Sequence, residues 1–306
     1  MKSRTSLLAG ILVGAGLGVA QDASAFPIHA PNARTVFSEF TVVAPRFEFT
    51  RESDESGQSR NGRLDAFTSS LDLVYGASRD FTLGLNIPYA VKRLRLFEDG
   101  AKVSRRSDGV GDLSLVGAYR VYRRDDPLPR RGSTQFSLIG GLKLPSGSTT
   151  ESDSRGLVPP DIQPGSGSVD GILGGAFLRN IGRFTAYASV QYKINSEATT
   201  GGKRIRAGNN LHYDLVADYL ILAEPGWNVF GVLELNGVYK ARTEENGVTK
   251  TDSGGNLIFL SPGLEWLLRP YLILELGVQL PIVRQLNGRQ LEPDYSVLLG
   301  LRYFFR

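Results

Sequence analysis

Alternation with a period of two runs through the chain from residue 34 to its end, and helical periodicity is nearly absent. In "LDAFTSSLDLVYGA", Phe67, Leu71, Leu73 and Tyr75 share one parity, with Ser70 and Asp72 on the other. The link "SRD" (78–80) leads into "FTLGLNIPY", where Phe81, Leu83, Leu85, Ile87 and Tyr89 alternate with Thr82, Gly84 and Asn86. Successive side chains of a strand point to opposite faces, so each run predicts a strand with unlike faces. So short a link predicts a hairpin. The same beat joins "DLSLVGAYRVY" (112–122) to "TQFSLIGGLKL" (134–144), and "SVDGILGGAFLR" (168–179) to "RFTAYASVQYKI" (183–194). It joins "NNLHYDLVADYLIL" (209–222) to "NVFGVLELNGVYKA" (228–241), and "NLIFLSPGLEWL" to "YLILELGVQL". A first strand is expected within 34–50, where the apolar parity shifts from Phe40 and Val42 to Phe47 and Phe49 across Pro45, predicting a bulge. "DYSVLLGLRYFFR" (294–306) closes a predicted set of twelve.

The links carry a second pattern. Short ones follow the even-numbered strands, and long polar ones follow the odd, at 51–63, 94–111, 145–167, 195–208, 242–254 and 283–293. Strict alternation of length puts every long loop at one end of an up-and-down meander, the asymmetry of an outer-membrane barrel. Aromatics agree. Tyr75, Phe81, Phe136, Phe184, Trp266, Tyr303 and Phe305 fall near the short turns, and Tyr89, Tyr192, Tyr213, Tyr239 and Tyr295 near the long loops. Two such girdles mark the two interfaces of a membrane. The predicted fold is all-β: a single antiparallel up-and-down transmembrane β-barrel of about 12 strands, with short periplasmic turns and long extracellular loops. A closed barrel also leaves no unpaired strand edge in hydrocarbon.

The N-terminus changes the picture of location. Residues 1–25 place Lys2 and Arg4 before an apolar run from Leu7 to Ala20, followed by Ala23-Ser24-Ala25. That is the layout of a secretory signal peptide cut before Phe26, leaving 26–306 as the barrel. Its loss removes Lys2, Arg4 and Asp22 and lowers the formal charge from +4 to +3, which gives no argument for nucleic acid. The chain has no cysteine, so an exported protein of this length relies on a large core or on lipid rather than on disulfides. The expected partners are outer-membrane lipid and a small-molecule solute, and the oligomeric state is not legible.

With the apolar parity towards lipid, the other lines a lumen that carries both signs of charge. Arg120, Lys193, His212, Asp214, Asp218, Glu234, Asn236, Glu265, Glu275 and Arg302 are the candidate lumen-lining residues of a substrate path. Buried charges need partners or water, so they either brace a filled interior or line a narrow aqueous passage. An alternative is a surface hydrolase using His212 and Asp214, which share a face. It needs a serine beside the histidine; Ser261 is on the lumen parity, but nothing in the sequence ties it to His212. A structural or adhesive barrel whose long loops bind a partner is a further alternative. His29 has no visible partner. Metal-ligand spacing is absent, no cofactor is expected, and "DGVGDLSLVG" (108–117) lacks the third glycine of a phosphate loop. The loop 145–167 stands out by length, and its prolines at 159, 160 and 164 predict a fixed shape, an ordered lid over the mouth.

Several strings carry a family resemblance. "GVGDLSLVGAYR", "LKLPSGS", "PPDIQPGSGSVD", "SPGLEW", "LELGVQLPI" and "DYSVLLGLRYFF" resemble the outer-membrane barrel family labelled MetA-pathway of phenol degradation, over about residues 100–305. The resemblance implies a barrel with a transport role for small, aromatic or hydrophobic compounds. It implies no catalytic set. Outer-membrane barrels usually end on an aromatic assembly signal, and here Arg306 follows Phe305.

Overall fold

In the computed structural model the structure describes residues 27–30, 38–54, 62–98, 101–127 and 132–306. The signal-peptide expectation lies outside them. Twelve strands form the barrel: β1 Thr41–Ser53, β2 Arg63–Gly76, β3 Phe81–Glu98, and β4, made of Ala101–Val110 and Ser114–Asp125. Then follow β5 Gly132–Lys143, β6 Asp170–Ile181, β7 Phe184–Ile194, β8 Asn210–Glu224, β9 Trp227–Lys240, β10 Gly255–Arg269, β11 Leu272–Leu286 and β12 Glu292–Phe305. Each strand pairs antiparallel with its neighbour in sequence, and β1 pairs with β12 to close the sheet.

The apolar parity faces outward. Phe67, Leu83, Leu138, Leu173, Leu215, Leu264 and Leu299 are exposed, whereas Thr82, Ser137, Thr185, Glu234 and Ser296 on the opposite parity are buried. An exterior of exposed leucine with a buried polar interior suits lipid outside and inverts a water-soluble core. Both girdles form. Tyr75 and Phe305 flank Thr41 near the short turns, and the Trp227 and Trp266 rings meet edge-on, 6.2 Å apart. At the other end Tyr89, Tyr192 and Tyr239 are exposed.

Three expectations are corrected. No bulge lies at Pro45: β1 runs beside β2 in unbroken register from Thr41–Tyr75 to Ser53–Arg63, and Val43–Tyr303 and Arg46–Gly300 keep one register with β12. Val42 and Ala44 are simply buried apolar residues on the lumen face. The extra residue sits instead in β4, between Asn86–Ser114 and Tyr89–Val110, opposite Pro88. Pro88 has no N–H for the ladder, and its carbonyl accepts from Gly111 N at 2.8 Å.

The span 94–111, expected as a loop, is a β-hairpin that prolongs β3 and β4 beyond the barrel. Alternation inverts above the girdle: Leu94 and Val103 are buried on the lumen parity, while Arg93, Arg95 and Arg106 face out. Outside is no longer hydrocarbon, so the polar parity points outward and the period-two signal changes sign. The loops 195–208 and 242–254 also hold hairpins, Glu197–Thr200 with Lys203–Arg206 and Glu244–Glu245 with Val248–Thr249, joined into one four-stranded sheet.

At the C-terminus, Arg306 reaches Glu39 at 2.6 Å, with both side chains well exposed. An exposed pair of this kind contributes little. Removing Arg306 should leave assembly unchanged, whereas Phe305→Ala should lower the yield of folded barrel several-fold, read as heat-modifiable gel mobility.

Candidate functional site

The lumen is built from two unlike walls. On β4 to β9 the inward parity carries Val116, Ile139, Leu178, Tyr187, Val216, Phe230 and Val232, which pack together as an apolar cluster. Towards β1 and β8 to β12 it carries charge. Asn236 Nδ2 donates to Asp214 Oδ1 at 3.0 Å and to Glu234 Oε2 at 3.1 Å, and its own oxygen accepts from Ser261 Oγ at 2.7 Å. Ser189 Oγ donates to the other oxygen of Asp214 at 2.7 Å. A second group is centred on Arg302, which ion-pairs with Glu275 and lies 3.7 Å from Glu265. Alternation cannot reveal the apolar wall, because an outward Leu and an inward Val differ in parity and not in type.

The residues Pro27–Ala30 lie inside this lumen. Ile28 is 2% exposed and belongs to the apolar cluster. Its N–H donates to Glu234 Oε1, and the N–H of His29 donates to Glu234 Oε2 at 3.1 Å. The His29 ring adds a contact to the same carboxylate at 3.4 Å. On the other side, Arg302 donates to the carbonyl of Pro27 at 3.0 Å and Arg46 to that of Ile28. The segment is thus held through its backbone, with Glu234 taking its donors and two arginines its acceptors. Glycine makes the room. A Cβ on Gly277 would stand 3.0 Å from His29 Cε1 and 3.1 Å from Ile28 Cγ2. His29, for which the sequence shows no partner, is therefore placed on Glu234, 205 residues away, a proximity that one-dimensional spacing does not contain.

The predicted path residues separate into places. Asp214, Glu234, Asn236, Glu265, Glu275 and Arg302 stand in the two groups around the segment, and Asp218 is buried on the same face of β8. Arg120 is tied to the turn before β3, donating to Asp80 Oδ1 at 2.8 Å and to the carbonyl of Arg79 at 2.6 Å, at the periplasmic rim. Lys193 pairs with Asp170 at 3.1 Å near the outer end. His212 faces the lumen beside Gln191 and Val238. Neither Ser189 nor Ser261 is hydrogen-bonded to it among the described residues, since their hydroxyls go to Asp214 and Asn236. Arg46 of β1 is a lumen residue that the expected parity shift concealed.

At the outer mouth, 145–167 is ordered at both ends and in its middle. Asp112, in the break of β4 beside Lys143, accepts from Gly147 N at 3.1 Å and Ser166 N at 2.9 Å, so one carboxylate pins both ends. The ends cross so closely that a Cβ on Gly147 would lie 2.6 Å from Gly165 Cα, which only glycine permits. Lys143 lies between Asp112 at 2.6 Å and Asp170 at 3.1 Å. In the middle, Val158 and Ile162 are buried against Leu94, with Leu64, Leu96 and Leu291 packed around them.

The tip is fastened by Arg105, whose Nε donates to Asp153 Oδ2 at 2.6 Å. That hydrogen bond holds the Asp153 carboxyl below its ordinary range. A depressed folded pKa contributes above the unfolded value and is lost only as pH falls through the folded one. Hydrogen exchange across 150–158, taken relative to the intrinsic rate at each pH, should therefore be unchanged between neutral pH and pH ~5, which is above the ordinary carboxylate range. Asp153→Asn should raise it at neutral pH.

Comparison with known proteins follows the same lines. The family model described as "Putative MetA-pathway of phenol degradation" matches residues 38–282. The chain belongs to this family. Among solved structures, it is similar to the COG4313 outer membrane channel from Pseudomonas putida F1, with a TM-score of 0.69 and 14% identity, covering 91% of this chain and 100% of that one. It is also similar to the transport unit of the autotransporter AIDA-I from Escherichia coli, at TM-score 0.53 and 13% identity, covering 96% and 97%. No curated protein matches. At these identities the likeness is one of fold, an outer-membrane barrel, and it agrees with the lipid-facing exterior of this family member.

Proposed function

We propose that this family member is an outer-membrane channel for passive passage of small molecules, closed by its own Pro27–Ala30 segment and opened when that segment leaves. The observation that carries the reading is what fills the lumen. A four-residue piece of chain, bound through Glu234, Arg46 and Arg302, occupies the space between the walls. A barrel braced only for strength would interlock side chains from its wall, whereas a bound segment can dissociate. Once it is gone, one wall offers Tyr187, Phe230 and Leu178 and the other offers Asp214, Glu234 and Arg302. Such a passage suits solutes with an aromatic or hydrophobic body and a polar group, the first sliding along the apolar wall and the second exchanging partners along the charged one. Asp218, Asn236, Glu265 and Glu275 join this path, while Arg120 serves the periplasmic rim and Lys193 the outer mouth. Export through residues 1–25, with cleavage before Phe26, belongs to the same reading, since it leaves the plugging segment next to the new N-terminus. Planar-bilayer recording and liposome swelling test it together. A barrel that neither conducts nor passes solute, even with residues 26–30 deleted, would sink the channel.

A further inference from the structure

Cross-strand neighbours on the outer surface of β1 to β4 violate a rule of sheet pairing. Arg93 of β3 stands directly opposite Arg106 of β4, and Arg95 of β3 directly opposite Arg63 of β2, on the outward parity. Opposed side chains in an antiparallel pair have Cβ atoms about 4.5–5.5 Å apart, and like charges there repel. Acids relieve this only in part. Asp65, which stands opposite both Arg51 and Arg93, is shared among Arg51 at 2.9 Å, Arg63 at 2.9 Å and Arg95 at 3.5 Å. Asp108 reaches Arg106 at 3.7 Å, and Arg93 has no ion pair among the described residues. Five arginines therefore face outward against three carboxylates, Asp65, Asp108 and Asp294, the last hydrogen-bonded to Ser53 opposite Arg63.

The height of this patch says what it meets. Tyr89, on the outer girdle, lies four residues below Arg93 on the same face, about 13 Å along the strand. Phe49 and Tyr295 stack beneath Arg51, whose guanidinium lies 5.5 Å and 5.4 Å from their ring centres. The arginines thus sit outside the barrel, just above hydrocarbon, at headgroup depth. The patch is also one-sided. On the same outward parity elsewhere, the rim carries Leu144, Val169 and Ile194, which are exposed.

We propose that this face binds a phosphorylated glycolipid of the outer leaflet, with one phosphate seated between Arg93 and Arg106 and a second near Arg63 and Arg95. Guanidinium pairs match phosphate bidentately, and an anion between opposed arginines turns a repulsion into two charge-assisted contacts. The acyl chains then run down the lipid-facing wall past Phe67 and Tyr89. Lumen solutes do not reach this surface, so the inference stands apart from conduction.

The test uses full-length protein extracted from outer membranes, delipidated and titrated with bisphosphorylated lipid A, the same glycolipid without phosphates, and inorganic phosphate. Wild type should bind the bisphosphorylated form at least tenfold more tightly than the dephosphorylated one. It should be raised in melting temperature by the bisphosphorylated form alone. The double variant R93Q/R106Q should lose most of that preference, R93K/R106K should keep part of it, and R204Q/R206Q in the loop sheet should change nothing. Heat-modifiable mobility confirms that each variant is folded. Equal binding by R93Q/R106Q and wild type would overturn the proposal, as would equal protection by inorganic phosphate, which marks a simple anion patch.

Discussion

Deleting residues 26–30 is expected to raise single-channel conductance several-fold and to turn a barrel that swells liposomes slowly into one that swells them fast. The reasoning is local. The segment lies between an apolar wall and two charged groups. A graded version separates plugging from general damage. Glu234→Ala removes the acceptor of two backbone N–H groups. Hydrogen bonds to a charged group contribute roughly 1.5–3 kcal/mol each, so the closed state loses on the order of 3 kcal/mol. That shifts the ratio of open to closed barrels by about a hundredfold. Gly277→Val should act in the same direction from the other side, by placing methyls where Ile28 and His29 sit. Unchanged conductance in all three, with folding intact, would mean the segment does not govern passage.

The second large effect is expected at the mouth. Lys143 is 10% exposed and lies between Asp112 and Asp170, which are 7% and 2% exposed. It also donates to the carbonyl of Ser168 at 3.0 Å. Lys143→Met leaves the buried Asp112 with no cation among the described residues, while Asp170 keeps only Lys193. Breaking a buried pair by removing one partner costs about 3–5 kcal/mol. Lys143 itself stays paired with Ser114 and Asp170 in the ladders on either side, so the cost falls on the loop ends that Asp112 holds rather than on the strands. Limited proteolysis within 145–167 should become rapid while heat-modifiable mobility is kept. A loop that stays protected in Lys143→Met would show that Val158 and Ile162 anchor it unaided.

The strands were legible because lipid on one side and a polar lumen on the other impose period two with fixed sign. That logic reads correctly wherever both conditions hold, as from Phe81 to Tyr89 or from Tyr295 to Phe305. It fails at the membrane boundary, where Leu94 and Leu96 turn inward and arginines turn outward. It fails too at Val42, an inward apolar residue that imitates a change of register. The charged lumen residues were legible by parity alone, but their grouping was not. Glu234 meets His29, and Glu275 meets Arg302, only after the sheet has closed. The apolar wall and the plugging segment carry no periodic signature, since each depends on what stands across the barrel.

The closure itself gains a meaning from the segment it encloses. Between Val43–Tyr303 and Arg46–Gly300 the β1–β12 ladder passes Pro45, which has no N–H to give. The two arginines that hold the segment come from the two sides of this same joint, Arg46 from β1 and Arg302 from β12. Pro27 and Ile28 therefore bridge the two sides of the seam beside the one position where β1 has no N–H to offer. A barrel lacking residues 26–30 should therefore be the one whose β1–β12 joint parts first under load, read as a lower unfolding force in single-molecule pulling.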